Sequence, residues 1–504
     1  MFGLFDSLFS RPARTKKIPA GEPRRLAFQP LETRDLMAAI PVLNSLPNAP
    51  KTLYLDFDGD FQTVWNRTDE TPQQYRSVSV GEFNIDGQAG ISDAEAAAIR
   101  KIWETVADDY APFNINVTTV APASFQNGAA LRVVMAGDCT AQLVTGRNTS
   151  LTVSGDRFIS DGAGGLVDTS GYASIGSFSD AEPNVVYVFA KYMSTWDMVD
   201  SEGHSRDLRA IIATTASHEA GHSFGLVHHG SLDLGSPITT PIMGSNTQGD
   251  RTIWSKYTVG GTLHDNLAEL TAKLGARADD FGSSYQTAPE LKFTNYSPIF
   301  GYRASVAGVI GTLSDVDMFK LTVSTTKTFS LSVTVPQFGD LDSQLVLYRV
   351  TKIPLFGYYY QNIATVDPSI SSIQPFQGLG ASLSITLQPG TYAVAVKSHG
   401  TYGDLGNYTL NVSHSSILLD PGPILTQATT SATTSSTPPT SGGSLTATKA
   451  TTNLPKLSGS GASALNTPLL TTKPSGSSLP IADVDAIFGL WESDGTKLLR
   501  HAAK

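Results

Sequence analysis

The twelve residues from His218 to His229, HEAGHSFGLVHH, constrain this chain more than any other stretch, because they hold four of its nine histidines. His218 and His222 are four apart, so on a helix they project from one face about a turn apart. Gly225 readily takes the left-handed conformation that ends a helix, and it turns the chain so that a later residue can come back to the same point. The spacing from that turn selects His228. His229 is its neighbour in an extended segment and faces the opposite way. The fold must therefore gather a helix end and the segment after it around one centre.

Three imidazoles at one point suit a tetrahedral metal with one open position, and zinc takes histidine nitrogen at ~2.0–2.1 Å. Glu219 sits beside the two helical histidines and suits a second task. Its carboxylate can take a proton from an attacking water and hand it to a leaving amine. At this histidine content, the five fixed positions recur by chance in about one in 10⁵ chains of this length.

His-Glu-x-x-His-x-x-Gly-x-x-His, here His218, Glu219, His222, Gly225 and His228, resembles the long zinc signature of the metzincin metalloproteases. That resemblance implies an α+β catalytic domain, a twisted mixed sheet carrying an active-site helix. It also implies a Met-turn beneath the histidines, which SPITTPIMGSN supplies with Met243, fifteen residues after His228. YLDFDGDF, IWETVADDYAPFNINVTT, GYASIGSF and NVVYVF are similar to segments of secreted bacterial proteins of this kind. Metzincins bind substrate along a sheet edge, so the resemblance makes Tyr172, Ala173, Ser174 and Ile175 the candidate edge; an ordinary strand is the alternative. One departure stands out. Several metzincins carry a tyrosine two residues after the Met-turn methionine, where this chain has Ser245; Tyr257 lies downstream with nothing in the sequence to place it at the zinc.

Along the chain, residues 1–45 form a basic leader, mostly disordered. LETRDLMAA (31–39) resembles an export motif of some bacteria, which implies a secreted or cell-surface protein; a disordered tail is the alternative. The catalytic domain spans 46–285. It opens on a strand in KTLYLDFDGDF and continues through a polar stretch into a helix capped by Ser92 and Glu95, with Ile99, Ile102, Trp103, Val106 and Tyr110 as its apolar stripe. Strands are expected at INVTTV, LRVVMAG and NVVYVFA, a Gly/Asp-rich loop at about 153–171, and a histidine-bearing helix from near Ser205. A last helix is expected at TLHDNLAELTAKLG.

From 286 to 415, short alternating strands with Gly, Pro and Asp turns predict an all-β sandwich, jelly-roll-like. IGTLSDVDMFKLTV, DLDSQLVLY and PGTYAVAVKSHG resemble the bacterial pre-peptidase C-terminal domain, which implies a targeting, secretion or stability module. Residues 416–480 are a Thr/Ser/Pro-rich linker, and 481–504 a short final segment without assigned function.

A net charge of −10 without a basic stripe argues against nucleic acid. No segment approaches the ~20 apolar residues that span a bilayer. The single cysteine, Cys139, permits no intrachain disulfide and reads as a packed small residue. Calcium is a structural candidate at three acidic groups: Asp56, Asp58 and Asp60; Asp156, Asp161 and Asp168; and Asp315, Asp317, Asp340 and Asp342. Turn chemistry is the competing account of each. The expected activity is that of a zinc endopeptidase acting on polypeptide. Its rivals are a zinc hydrolase of narrow non-peptide specificity, and an adhesin or scaffold with a vestigial zinc site that contacts cell surface or matrix through its C-terminal region.

Overall fold

A computed structural model describes residues 38–415, apart from 68–71, 181–182, 197, 199–206, 229–238, 245–250, 298–300 and 369–378. The leader through 37, the linker, the final segment, His229 and Ser245 lie outside the described residues.

The N-terminal part is built on a five-stranded mixed sheet. In spatial order it runs β4 (Ile115–Thr118), β1 (Lys51–Asp56), β5 (Ala130–Met135), β9 (Val185–Val188) and β8 (Gly171–Tyr172). The first four are parallel, and β8 closes the edge antiparallel to β9. Parallel strands buried on both faces should read as apolar runs rather than alternating, as Val185–Val188 of β9 and Val133–Met135 of β5 do. On one face Leu53, Leu55, Val133, Met135, Val186 and Val188 join the core formed with the helices. The opposite parity, Val134, Val185 and Tyr187, enters a second core.

The helical layer is α1 (Asp93–Asp109) and α3 (Leu208–Ser223), with the short α2 (Ala190–Met193) between them in sequence. The expected capping box at the start of α1 is present: Glu95 N–H donates to Ser92 Oγ at 3.1 Å, and Ser92 N–H to Glu95 Oε2 at 3.1 Å. Helix α3 starts at Asp207, whose carboxylate accepts from Arg209 N–H. It is buried from Ile211 to Ser223, so this is a core helix with no solvated face over that length.

The opposite layer departs from expectation. The polar stretch after β1 folds as β2 (Asp60–Arg67) and β3 (Gln73–Val80), which join β6 (Cys139–Val144) and β7 (Ser150–Gly155) in a four-stranded antiparallel sheet. Trp65 anchors it, edge-on to Tyr172 and Tyr187 of the first sheet at 5.3 and 5.4 Å. Cys139 is packed in this core, and burial pushes its thiol up to about 12.

Residues 38–45 also differ from the disordered leader expected there. Ala38 N–H donates to Ile91 O, Ser45 N–H to Val117 O, and Thr118 Oγ1–H to Leu43 O, fastening the segment along β4. After α3, β10 (Thr239–Pro241) pairs with β11 (Arg251–Ile253), and β12 (Lys256–Val259) with β13 (Thr262–Asp265). The last helix, α4 (Asn266–Leu274), is thus shorter than expected. Asp265 caps it by accepting from Ala268 N–H at 3.0 Å, so the preceding TLHD is strand.

The C-terminal part is an antiparallel β-sandwich. One sheet holds β14 (Thr294–Ser297), β15 (Gly301–Ile310), β22 (Gly406–His414), β17 (Lys327–Thr334) and β20 (Ser382–Leu387). The other holds β16 (Val316–Val323), β21 (Gly390–Ser398), β18 (Ser343–Ile353) and β19 (Gly357–Val366). From β15 onward the chain alternates between sheets except at the β18–β19 hairpin, and their inner faces meet in one core.

The two parts are joined through buried polar groups. Asp108, at the end of α1, accepts from Asn407 N–H at 2.6 Å, Asn407 Nδ2–H at 2.8 Å and Asp340 N–H at 2.8 Å. Arg251 Nη2–H donates to Asp404 Oδ1 at 2.8 Å, with both side chains almost wholly buried. Leu267 of α4 packs against both cores.

Candidate metal centre

Helix α3 runs into the centre and stops in a Schellman turn. Leu226 N–H donates to Gly221 O at 2.9 Å and Gly225 N–H to His222 O at 2.8 Å, with Gly225 at φ 107°. A side chain on Gly225 would meet nothing within 4 Å, so the left-handed backbone alone calls for glycine there. The turn brings His228 back to the helix, as the spacing predicted.

The three Nε2 atoms of His218, His222 and His228 form a nearly equilateral triangle, with edges of 2.9, 3.0 and 3.0 Å. Three imidazole nitrogens this close together would serve as the donor set of a single ion. The opposite ring nitrogens fix the tautomers. His218 Nδ1–H donates to Ile242 O at 2.7 Å and His222 Nδ1–H to Leu226 O at 2.9 Å, because a carbonyl can only accept. With Nδ1 the donor on both rings, their Nε2 atoms face each other at 3.0 Å. Burial pushes the His222 imidazole down to about 4, favouring the neutral form. The three histidines are a group that can hold a metal ion.

Met243 lies under the helix. It is fully buried, and its Sδ lies 2.7 Å from where a β-carbon on Gly221 would stand. Its neighbour Ile242 supplies the carbonyl that orients His218. Glu219 is 6% exposed, and burial pushes its carboxyl up to about 8.

The edge segment is shorter than expected. Only Gly171 and Tyr172 are strand; Ala173 and Ser174 run irregularly and Ile175 enters a turn. The cause is the left-handed Gly176, whose N–H donates to His222 O at 2.9 Å and draws the chain off the sheet toward the end of α3. Ser177 Oγ and Ser223 Oγ then pair at 2.8 Å. Tyr172 packs on Trp65, with the Arg67 guanidinium 5.4 Å from its ring centre.

Three features were not legible beforehand. Gly171 lies against Glu219, so that a β-carbon there would meet Oε1 at 2.6 Å and Cγ at 2.7 Å. Tyr257 O–H donates to Val227 O at 2.5 Å and fixes the residue before His228, which is where this tyrosine acts in the fold. Ser217 Oγ–H donates to Asp109, and Tyr110 O–H to Ser217 O at 2.9 Å, bracing α3 from α1 one residue before His218. No sequence spacing marks any of these contacts, which join segments far apart in the chain.

Two of the acidic groups do not converge. Arg132 donates to Asp60 and lies 3.5 Å from Asp56, so a guanidinium stands where the calcium alternative would put its ion. Asp161 accepts from Ala163 and Gly165 N–H in its own turn, and Asp156 pairs with Arg157 at 3.1 Å. The third group divides. Asp340 and Asp342 are buried near Arg251 at the junction of the two parts. Asp315 and Asp317 instead meet Asp279, with one oxygen from each within 4.8 Å of the others. Asp317 accepts from Tyr408 O–H at 2.7 Å, and its buried Oδ1 has no hydrogen-bond partner.

No protein-family model matches the chain, and no curated protein matches it. Among solved structures, the pre-peptidase C-terminal domain of collagenase from Bacillus anthracis matches the C-terminal part. It is 14% identical and covers 28% of this chain and 98% of that one, with a TM-score of 0.17. PliG from Aeromonas hydrophila, a periplasmic inhibitor of g-type lysozyme, is 14% identical over 25% of this chain and 96% of its own, with a TM-score of 0.18. The Yersinia pseudotuberculosis-derived mitogen is 13% identical over 23% and 90%, with a TM-score of 0.16. Likenesses this slight say nothing of the centre.

Proposed function

We propose that this chain is a zinc endopeptidase of metzincin type. The observation that carries the reading is the convergence of three histidine Nε2 atoms at 2.9–3.0 Å, with carbonyls behind two of the rings to accept from Nδ1 and leave Nε2 as the metal-facing nitrogen. His218, His222 and His228 would hold the ion, and three protein ligands leave a tetrahedral ion one open position. When bound, zinc supplies Lewis acidity toward a water and toward the scissile carbonyl.

The remaining chemistry belongs to the chain. Glu219 moves the proton: its carboxylate takes one from the attacking water and gives it to the leaving amine nitrogen. Binding a metal requires only the histidines, so this carboxylate favours catalysis over a bare binding site. The carbonyls of Ile242 and Leu226 hold two rings in register, and partners of this kind orient metal-ligating imidazoles generally. Tyr257 steadies the segment bearing the third. Strand β8, antiparallel to β9, runs its backbone past Glu219 at Gly171, which suits an extended polypeptide added to that edge. Action outside the cell rests on the leader resemblance. The test is cleavage of a generic unfolded protein by the purified chain, lost on chelation and restored by zinc. Zinc binding without cleavage of any peptide would leave a scaffold instead.

For the sandwich we infer a structural calcium ion at Asp279, Asp315 and Asp317. Hard oxygen donors suit that ion, and the partnerless buried oxygen of Asp317 favours a cation over turn chemistry alone.

A further inference from the structure

The β18–β19 hairpin is joined by three residues, Pro354, Leu355 and Phe356, with a β-turn in which Phe356 N–H donates to Ile353 O at 3.1 Å. Leu355 has φ 69°, so the turn has proline at its second position and a left-handed residue at its third. Glycine or asparagine belongs at that third position, and a branched apolar side chain there is strained. The side chain gains nothing from packing: Leu355 is fully exposed and Phe356 is 86% exposed. Ile353 is 40% exposed and Tyr359 57%, so the whole tip is apolar and in water. A feature that is costly to the backbone and unused by the core points to a contact outside the molecule.

The tip's chemistry indicates the partner. From Tyr348 to Val366 there is no acidic residue, while Arg349 and Lys352 are basic, in a chain whose net charge is −10. Tyr358, Tyr359 and Tyr360 follow directly below the apolar tip. Tyr358 and Tyr360 lean inward on Tyr285 and Tyr348, which holds the base of the hairpin rigid. The order is therefore apolar apex, then tyrosines and cations, then folded domain. A projecting apex has no pocket into which a small ligand could settle. That layering matches a bilayer surface, with Leu and Phe in the acyl region, tyrosine at the headgroups and cations against anionic lipid.

We propose that the β18–β19 tip inserts Leu355 and Phe356 into an anionic lipid surface and so holds the chain against a membrane. The inference is independent of the metal centre. Its test is co-sedimentation of the full chain with phosphatidylcholine vesicles containing phosphatidylglycerol. Binding is expected, weaker to phosphatidylcholine alone and weaker at high salt. Leu355→Asn suits the left-handed turn, so its melting temperature should hold or rise while vesicle binding falls at least about tenfold, the scale of one buried leucine. Phe356→Ser should act alike, and in Phe356→Trp the new indole emission should shift to the blue on vesicles. Absence of binding to anionic vesicles would overturn the proposal, as would binding that Leu355→Asn and Phe356→Ser leave unchanged. So would self-association in the absence of lipid that these substitutions abolish, since the tip would then serve a second copy of the chain.

Discussion

Gly171 on the edge strand leaves no room for a side chain beside Glu219 on the histidine helix: a β-carbon at 171 would stand 2.6 Å from Glu219 Oε1. The strand that would receive substrate and the carboxylate that would move the proton are therefore set against each other with no room to spare. In Gly171→Ala, either β8 moves outward or Glu219 turns away. A displacement near 1 Å costs a reaction of this kind about 10²-fold. We expect kcat/KM to fall by about that factor while zinc content stays at one per chain. Unchanged activity would separate the two residues functionally.

The junction of the two parts gives a second prediction. Arg251 and Asp404 have side chains 2% and 1% exposed. Removing one member of such a pair strands the other's charge, at a cost of about 3–5 kcal/mol. Arg251→Met should lower stability by that amount in denaturant unfolding, and Arg251→Met with Asp404→Leu should recover part of it. A neutral single variant would contradict a welded junction.

Asp108 gives a pH dependence. Burial, outweighing three donated hydrogen bonds, pushes its carboxyl up to about 6 from the usual 3.8. A raised carboxyl pKa means that the folded state holds the proton more tightly. Its contribution is full below pH about 4 and fades as pH rises through about 6, amounting to roughly 2–3 kcal/mol over that window. The difference in stability between the native chain and Asp108→Asn should therefore change between pH 4 and 7. Taking the difference cancels the titration of the histidines. A flat difference would refute the shift.

Millimolar calcium should raise the melting temperature of the full chain, and Asp317→Asn should abolish the response. An equal response in the variant would place the ion elsewhere.

What the sequence revealed, and what it hid, follows from where each signal resides. The cap of α1 and the turn after His222 are local, since Ser92 and Glu95, or Gly225 and His228, carry their instructions within a few residues. The four-stranded sheet was hidden because β2 exposes Phe61 and Val64 at 61% and 39%, blurring the alternation that Trp65 alone keeps on the buried side. Asp265 read as helix interior although it is the cap, so TLHD was absorbed into α4. At the centre, the convergence of His218, His222 and His228 was legible from spacing. Gly171 was not, because its meaning depends on a residue 48 positions later that only the fold brings near. Likewise Asp108 meets Asn407 across 299 residues, a contact with no local pattern behind it.

The central claim is that three histidines hold zinc so that Glu219 can move a proton. The measurement that meets it most directly is made on Glu219→Gln, with zinc counted and cleavage of an unfolded protein followed in the same preparation. Because the ligands remain, zinc should stay near one per chain. Because the proton carrier is gone, cleavage should fall by about 10²–10⁴-fold, the usual contribution of general acid–base catalysis. A variant that keeps its zinc and cleaves at the native rate would contradict the account.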